Sequence, residues 1–213
     1  MRNCCCDCNV VEKFKLKNGN ILKIVYDEYA ENPLTWNTPE ERRATFVMAH
    51  RRHMFADEED SKLFRKNICY AKDMDELFSY YMAENFLGYN YTRFPLEDED
   101  LDAIADWIDT YLVVLPVYMY EHGGITINTT GFSCPWDSGQ IGFIYAFRKD
   151  FDEDEDIEAY LKSIIENVRN YVEGKVYGYI VEDKEGNEVD SCYGYYGDYK
   201  YILEEFKDEL IEE

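Results

Sequence analysis

The spacing of apolar residues changes at residue 112, and this change constrains the fold more than any other feature of the sequence. Before it, apolar side chains recur every three or four residues over 73–88 and 97–111, the spacing of amphipathic helices. After it, β-branched and aromatic runs over 112–120, 125–130 and 141–147 are separated by turn-forming residues, which is typical of strands. The chain must therefore hold helices and strands in separate stretches.

The segments on either side extend this pattern. Asn18-Gly19 between alternating apolar residues predicts an N-terminal β-hairpin, because this dipeptide suits a tight hairpin turn. Thr38-Pro39-Glu40-Glu41 has the spacing of a capping box and predicts a helix that runs to about His50. The remaining predicted elements are a helix over 152–173, a hairpin of 176–181 with 188–196, and a helix over 199–211.

Together these elements predict the α+β class. Strands before and after helices, joined mostly by short turns, favour an antiparallel β-sheet with helices packed on one side and a mainly helical insertion at about 38–111. No internal repeat or flexible linker is evident, so we expect residues 1–213 to form a single domain. Residues 1–10 allow a disordered, cysteine-rich tail.

The charge of the chain limits its partners. The net charge is −23, from 45 acidic and 22 basic residues, so direct binding to DNA, RNA or an anionic membrane is disfavoured and a basic protein is favoured. The longest apolar run, 112–119, is much shorter than the roughly 20 residues that span a bilayer. The N-terminus also lacks the pattern of a secretory signal, and we therefore expect a cytoplasmic protein.

Seven cysteines, an odd number, favour reduced thiols over a disulfide framework in such a chain. Cys5 and Cys8 have half of the spacing of a zinc site, and His50 and His53 offer two further ligands. No second Cys-x-x-Cys follows, and a cysteine-rich terminal tail is the simpler interpretation. We expect no cofactor, with these four residues as the candidates if zinc binds.

The densest group of chemically capable residues is His122, Cys134 and Asp137. A thiol hydrolase uses these residue types, with Cys134 as the nucleophile, His122 as its base and Asp137 as the group that orients the base. The alternative is structural, because Cys134-Pro-Trp-Asp-Ser-Gly is good turn chemistry in which Asp and Ser bond their own backbone. The spacing matches no nucleophile motif, so the turn is the better supported interpretation.

One basic island stands out in the acidic chain, formed by Arg42, Arg43, Arg51 and Arg52 with His50 and His53. It is suited to binding a phosphate or an acidic peptide. The excess of carboxylates favours the alternative, in which these arginines pair with acids of the same chain.

Acidic runs offer a different kind of surface. Carboxylates a helical turn or less apart imitate the phosphates of a nucleic acid strand, although solvated helix faces have the same sequence pattern. The run at 152–156 begins like a calcium loop, but Ile157 replaces the turn glycine. The predicted partner-binding residues are Glu97, Asp98, Glu99, Asp100, Asp102, Asp152, Glu153, Asp154, Glu155 and Asp156, with Trp36 and Trp136 as aromatic contacts.

Several strings of the sequence resemble a group of proteins encoded by bacteriophages and integrated mobile elements. They are Asn32-Pro33 with Trp36, His50-Arg51-Arg52, residues 115–125 (PVYMYEHGGI from Pro116), residues 132–145 (FSCPWDSGQIGFIY) and residues 190–197. The chain departs from the group at Asn37-Thr38 and at Met48-Ala49. The resemblance implies an origin in a mobile element and implies no mechanism.

Two functions follow as expectations. The first is binding: an acidic phage protein that inhibits a basic host defence protein, such as a nuclease or nucleic-acid-binding effector, in the manner of an anti-CRISPR or antirestriction protein. The second is catalysis, by a thiol-dependent hydrolase or modifying enzyme that uses Cys134, His122 and Asp137. The charge of the chain favours the first.

Overall fold

The computed structural model describes residues 9–38, 41–89 and 95–211, which form helices and two antiparallel four-stranded sheets. The α+β class predicted from the sequence is confirmed, with the strands divided between two sheets. Two compact units share the chain: a terminal unit, made of residues up to Asn32 and from Asn170 onward, and a central unit, residues 33–169. That the whole chain acts as one domain stays a prediction.

The terminal unit contains one of the sheets. Its strands are β1 (Val10–Lys15), β2 (Ile21–Tyr26), β7 (Val176–Glu182) and β8 (Glu188–Tyr196), paired in the order β1-β2-β7-β8, and a short helix α5 (Lys200–Glu205) follows. Buried apolar residues from β2, β7 and α5 form its core, among them Leu22, Val181 and Ile202. The predicted hairpins around Asn18-Gly19 and before Glu188 are confirmed.

The central unit contains the second sheet. Its strands are β3 (Thr45–Met48), β4 (Leu112–Glu121), β5 (Ile125–Asn128) and β6 (Ser138–Phe147), in the order β3-β6-β4-β5. Its helices are α1 (Glu58–Arg65), α2 (Met74–Phe86) and α3 (Asp98–Tyr111), and α4 (Ile157–Val172) begins in this unit. Of the helices in the described ranges, none is both long and apolar enough to cross a membrane.

An aromatic core joins α1, α2 and α3 to the central sheet. The ring centroids of Phe78 and Phe143 lie 4.6 Å apart, and Phe64 meets Phe143 edge to face. The hydroxyls of Tyr81 and Tyr145 lie 3.0 Å apart, so the polar atoms of the buried tyrosines are satisfied. This packing fixes α3 against the sheet through the buried side chain of Ile104.

The helix predicted from Thr38 to about His50 is wrong. One of the two predicted capping contacts forms, because the Thr38 amide donates to the Glu41 carboxylate at 3.0 Å. The Thr38 hydroxyl contacts the same carboxylate and does not cap the Glu41 amide. The chain then enters β3, which pairs with β6, so sheet pairing overrides the helix signal. The predicted helical insertion at about 38–111 therefore also contains a strand. In addition, α4 begins at Ile157 rather than at 152, and α5 ends at Glu205 rather than at 211.

Candidate functional site

The three predicted catalytic residues converge where β4 ends. The Asp137 Oδ2 atom lies 3.1 Å from His122 Nδ1 and 3.7 Å from the Cys134 thiol. The Glu121 amide donates a hydrogen bond of 2.9 Å to the Asp137 carbonyl, which holds the segment before β6 beside the end of β4. Asp137 thereby contacts His122, which lies 15 positions earlier in the sequence, as well as Cys134, which lies three positions earlier.

The order of these contacts differs from that of a thiol hydrolase. There the imidazole contacts the thiol and the carboxylate orients the imidazole. Here the Asp137 carboxylate lies between the two and contacts both. His122 makes no hydrogen bond to Cys134 in the described residues, so the imidazole is not placed as a base on the sulfur.

The same contacts build a closed turn, which we call the Trp136 loop (residues 134–138). The Ser138 hydroxyl donates a 2.5 Å hydrogen bond to the Cys134 carbonyl, and the Cys134 thiol donates to Asp137. The side chain at the centre of the loop, Trp136, is 92% exposed. The predicted bond from Ser138 to the turn backbone is thus present, whereas the Asp137 carboxylate contacts the side chains of Cys134 and His122 and not its own backbone. The loop displays an indole to solvent.

A second group of residues lies at the same end of the central sheet. The Glu121 carboxylate accepts a 2.8 Å hydrogen bond from Arg52 and lies 3.3 Å from His53 Nε2. The rings of His50 and His53 stack with centroids 5.2 Å apart and planes 6° apart. The three histidines of the chain therefore gather around the end of β4, at Glu121 and His122.

The protonation of His50 follows from this environment. Burial lowers the pKa of His50, the neighbouring positive charge of His53 lowers this pKa further, and Glu121 opposes both effects. His50 Nδ1 accepts from the backbone N–H groups of Arg52 and His53 at 3.4 and 3.3 Å. Its role in the neutral form is therefore to hold the turn after β3.

No metal site is formed by the described part of the chain. Within residues 9–38, 41–89 and 95–211, no three His, Cys, Asp or Glu side chains are placed to hold a metal ion. The predicted ligands Cys5 and Cys8 lie outside the described residues, so the four-residue zinc site stays a hypothesis. Cys69, Cys134 and Cys192 are free thiols, as the sequence predicted.

The basic island pairs with acids of the same chain. Arg42 contacts the buried Asp57, and Arg52 contacts Glu121. Arg43 donates to both carboxylate oxygens of Glu155, at 2.9 and 2.5 Å, and lies 3.6 Å above the ring of Phe151. The prediction of internal pairing is confirmed for these three arginines.

The acidic run at 152–156 is a loop in which some carboxylates form hydrogen bonds within the chain. Hydrogen bonds from the Arg43 side chain and from the Asp152 amide lower the pKa of Glu155 to about 2. The Asp156 carboxylate accepts from the Ala159 amide at 3.0 Å, at the start of α4. Two of the five carboxylates are therefore occupied by the chain itself, although all five residues are exposed.

The acidic run that begins at Glu97 has a different character because it opens α3. At 100° per residue, five exposed acids fall within about 100° of the helix circumference. They are Asp98, Glu99, Asp102, Asp106 and Asp109, which we call the α3 acidic face. No basic residue occurs in 97–111, and none of the five acids forms an ion pair with another described residue.

Sequence reasoning found only part of this face. Asp106 and Asp109 are not among the predicted binding residues. Their spacing, four residues from Asp102 to Asp106 and three from Asp106 to Asp109, places them on the same side of the helix and could have identified them. Asp100 points elsewhere, because it is half-buried and accepts a 3.3 Å hydrogen bond from the Tyr89 hydroxyl. Trp36 follows a single 3₁₀ turn at Pro33–Thr35 and is 50% exposed.

Comparisons of the chain with protein-family models, with curated proteins and with solved structures found no match. The resemblance to phage and mobile-element proteins therefore stays a hypothesis.

Proposed function

We propose that the protein binds a basic surface of a host nucleic-acid-handling defence protein and inhibits it, in the manner of an anti-CRISPR or antirestriction protein. The α3 acidic face is the proposed contact. The observation that supports this proposal is the alignment of five exposed carboxylates on one side of a helix that has no basic residue.

The density of charge on this face suits mimicry of a nucleic acid. With a rise of about 1.5 Å per residue, the five acids of the α3 acidic face lie on average about 4 Å apart along the helix axis. One strand of DNA carries one phosphate per about 3.4 Å of its axis. A protein groove that binds a phosphate backbone with Lys and Arg is therefore also matched to this face.

The internal ion pairs favour α3 over the loop at 152–156 as the contact. Arg43 already neutralises Glu155, whereas the acids of the α3 acidic face make no ion pair with the described residues. An exposed carboxylate without a partner gains more from a lysine or arginine of another protein than one that is already hydrogen-bonded. The net charge of −23 meanwhile disfavours binding to the nucleic acid itself.

The test is retention of host proteins by the immobilised chain and by two variants with equal charge change. The α3 variant carries D98N, D102N, D106N and D109N, and the control variant carries E28Q, E31Q, E185Q and E209Q at exposed positions outside the predicted binding residues. Wild type and control should retain a nucleic-acid-handling protein at low salt and release it near 1 M salt, where the Debye length is about 3 Å.

The α3 variant should lose this protein and should no longer inhibit its activity. If the α3 variant retains the same protein as strongly as wild type does, the proposed contact is wrong. If wild type retains nothing at either salt concentration, the proposed function is wrong.

A second candidate is the thiol-dependent enzyme, which is favoured by the contacts that join Cys134, Asp137 and His122. It requires the sulfur as nucleophile, so both C134A and C134S should abolish the biological effect. A serine hydroxyl at this position can still donate to Asp137. Full effect in the C134S variant would therefore exclude the enzyme and leave the turn intact.

A further inference from the structure

We propose that the Trp136 loop anchors the same protein partner through a second contact, in which the Trp136 indole enters an apolar pocket beside the partner's basic surface. Cys134, Asp137 and Ser138 are then positioning residues that hold the loop, together with His122. This inference rests on the proposed function, because it assumes the same partner, but it concerns a different surface and a different step of binding.

The exposure of Trp136 is the first observation. Tryptophan is highly buried on average in folded proteins. Trp136 is 92% exposed, and among the exposed large apolar side chains of the described residues only Tyr29 approaches this value, at 90%. An indole in a pocket buries about 150–250 Å². Almost all of the apolar surface of Trp136 is therefore available for contact with another molecule.

The contacts that close the loop are the second observation. Two side-chain contacts close it, from Ser138 to the Cys134 carbonyl and from the Cys134 thiol to Asp137. Two more attach it to β4, through His122 and through the Glu121 amide. A loop that is ordered before binding loses less entropy on association, and tryptophan has only two rotatable side-chain bonds to fix.

The surroundings of Trp136 indicate the chemistry of the pocket. Two carboxylates at this end of the central sheet already have partners in the chain, Asp137 in His122 and Glu121 in Arg52. The flanking glycines Gly123, Gly124 and Gly139 face open space, since a Cβ atom added to any of them meets no atom within 4 Å. An indole that is exposed beside glycines, next to a carboxylate and not a lysine or arginine, is suited to an apolar pocket and not to a phosphate group.

The two surfaces should affect different rate constants. Exposed like charges on the α3 acidic face steer the encounter and set the association rate and its salt dependence. A desolvated aromatic anchor mainly slows dissociation. This division allows the anchor to be tested separately from the charge.

The experiment measures association and dissociation rates of the retained host protein with wild type, W136A, the α3 variant and Y29A. Loss of a central aromatic anchor should speed dissociation at least thirtyfold, or about 2 kcal/mol. Y29A, which removes an aromatic ring of nearly equal exposure, should dissociate like wild type. If W136A dissociates at the same rate as wild type, the anchor is wrong. The proposed function still stands in that case if the α3 variant has lost binding.

The opposite pattern, fast dissociation of W136A with normal association of the α3 variant, supports the anchor and contradicts the charge-based function. If wild type retains no protein, both proposals fail. Nucleotide binding that perturbs Trp136 would also overturn the anchor, because it would assign the indole to a phosphate-bearing ligand.

The positioning role has a readout in the free chain. The full chain labelled with 5-fluorotryptophan should give three ¹⁹F resonances, one for each tryptophan, and W136F assigns the third. D137A should narrow and shift the Trp136 resonance as the loop loosens. C134A should cause a smaller change of the same kind, and C134S, which keeps a donor to Asp137, should give the wild-type signal. An unchanged Trp136 resonance in D137A overturns the positioning role.

Discussion

The Arg43–Glu155 pair shows how single residues of this acidic chain are fixed by their neighbours. Arg43 makes two hydrogen bonds to the Glu155 carboxylate and packs on Phe151, and the pKa of Glu155 falls from 4.5 to about 2. Because the folded state lowers this pKa, the pair contributes stability above about pH 4.5. This contribution is lost as the pH falls from 4.5 toward 2.

We predict that R43Q returns the pKa of Glu155 toward 4.5, because the largest cause of the lowered value is the hydrogen bond from Arg43. Carboxyl ¹³C NMR titration of the full chain measures this directly. R51Q, at an exposed arginine of the same island, is the matched control and should leave the Glu155 titration unchanged. A value that stays near 2 in R43Q would contradict the assigned cause.

Residue identities predicted much of the site but could not predict its order of contacts. The bond from Ser138 to the turn backbone, the free thiols and the internal pairing of the arginines follow from residue type and composition. The position of Asp137 between Cys134 and His122 depends on strand register, which pairs Tyr120 with Ser138. That register includes an irregularity between Val117 and Tyr118, and no local sequence signal reveals it.

At the scale of elements, α3 places acids at both of its ends. Asp98 lies in the first turn, where negative charge favours the helix dipole, and Asp109 lies in the last turn, where it opposes the dipole. We predict that D98N lowers the free energy of unfolding by about 0.3–1 kcal/mol and that D109N raises it by a similar amount. Urea denaturation at low salt measures both.

The two variants serve as controls for each other, since each removes one exposed charge from the same helix. If D109N is also destabilising, Asp109 has a structural partner and is not held in place for binding alone. Opposite signs would show that the chain keeps an unfavourable charge at the end of the α3 acidic face.

Strand β3 explains why one element was predicted wrongly. The Thr38 amide bonds the Glu41 carboxylate as predicted, but a strand of only four residues follows because tertiary pairing with β6 decides its structure. The long periodic stretches at α2, α3 and β4 were predicted well, since their spacing is repeated over many residues. Short segments contain too few residues for periodicity to outweigh their tertiary contacts.

The β3–β6 pairing provides its own prediction. A Cβ atom at Gly142 would lie 1.9 Å from the Val47 carbonyl oxygen, so G142A should lower the free energy of unfolding by at least about 1–3 kcal/mol. Gly139 lies on the same strand with open space around it, and G139A should have little effect. Thermal denaturation of the two variants compares them, and equal stability would contradict the close approach of β3 to β6.

For the whole molecule, whose net charge is −23, some carboxylates have partners within the chain and others do not. Acids in the loop at 152–156 and around the end of β4 are partly satisfied by Arg43, Arg52 and the histidines. The α3 acidic face has no such ion pair within the described residues. We infer from this contrast that binding of a basic partner, and not solubility alone, accounts for the face.

The dependence of the association rate of the host partner on ionic strength tests whether the α3 acidic face drives binding. For wild type and the control variant, the rate constant should fall by at least about tenfold between low salt and physiological ionic strength, where the Debye length shortens to about 8 Å. The α3 variant should associate slowly at low salt and respond weakly to added salt. A salt dependence equal to that of wild type in the α3 variant would contradict the central claim.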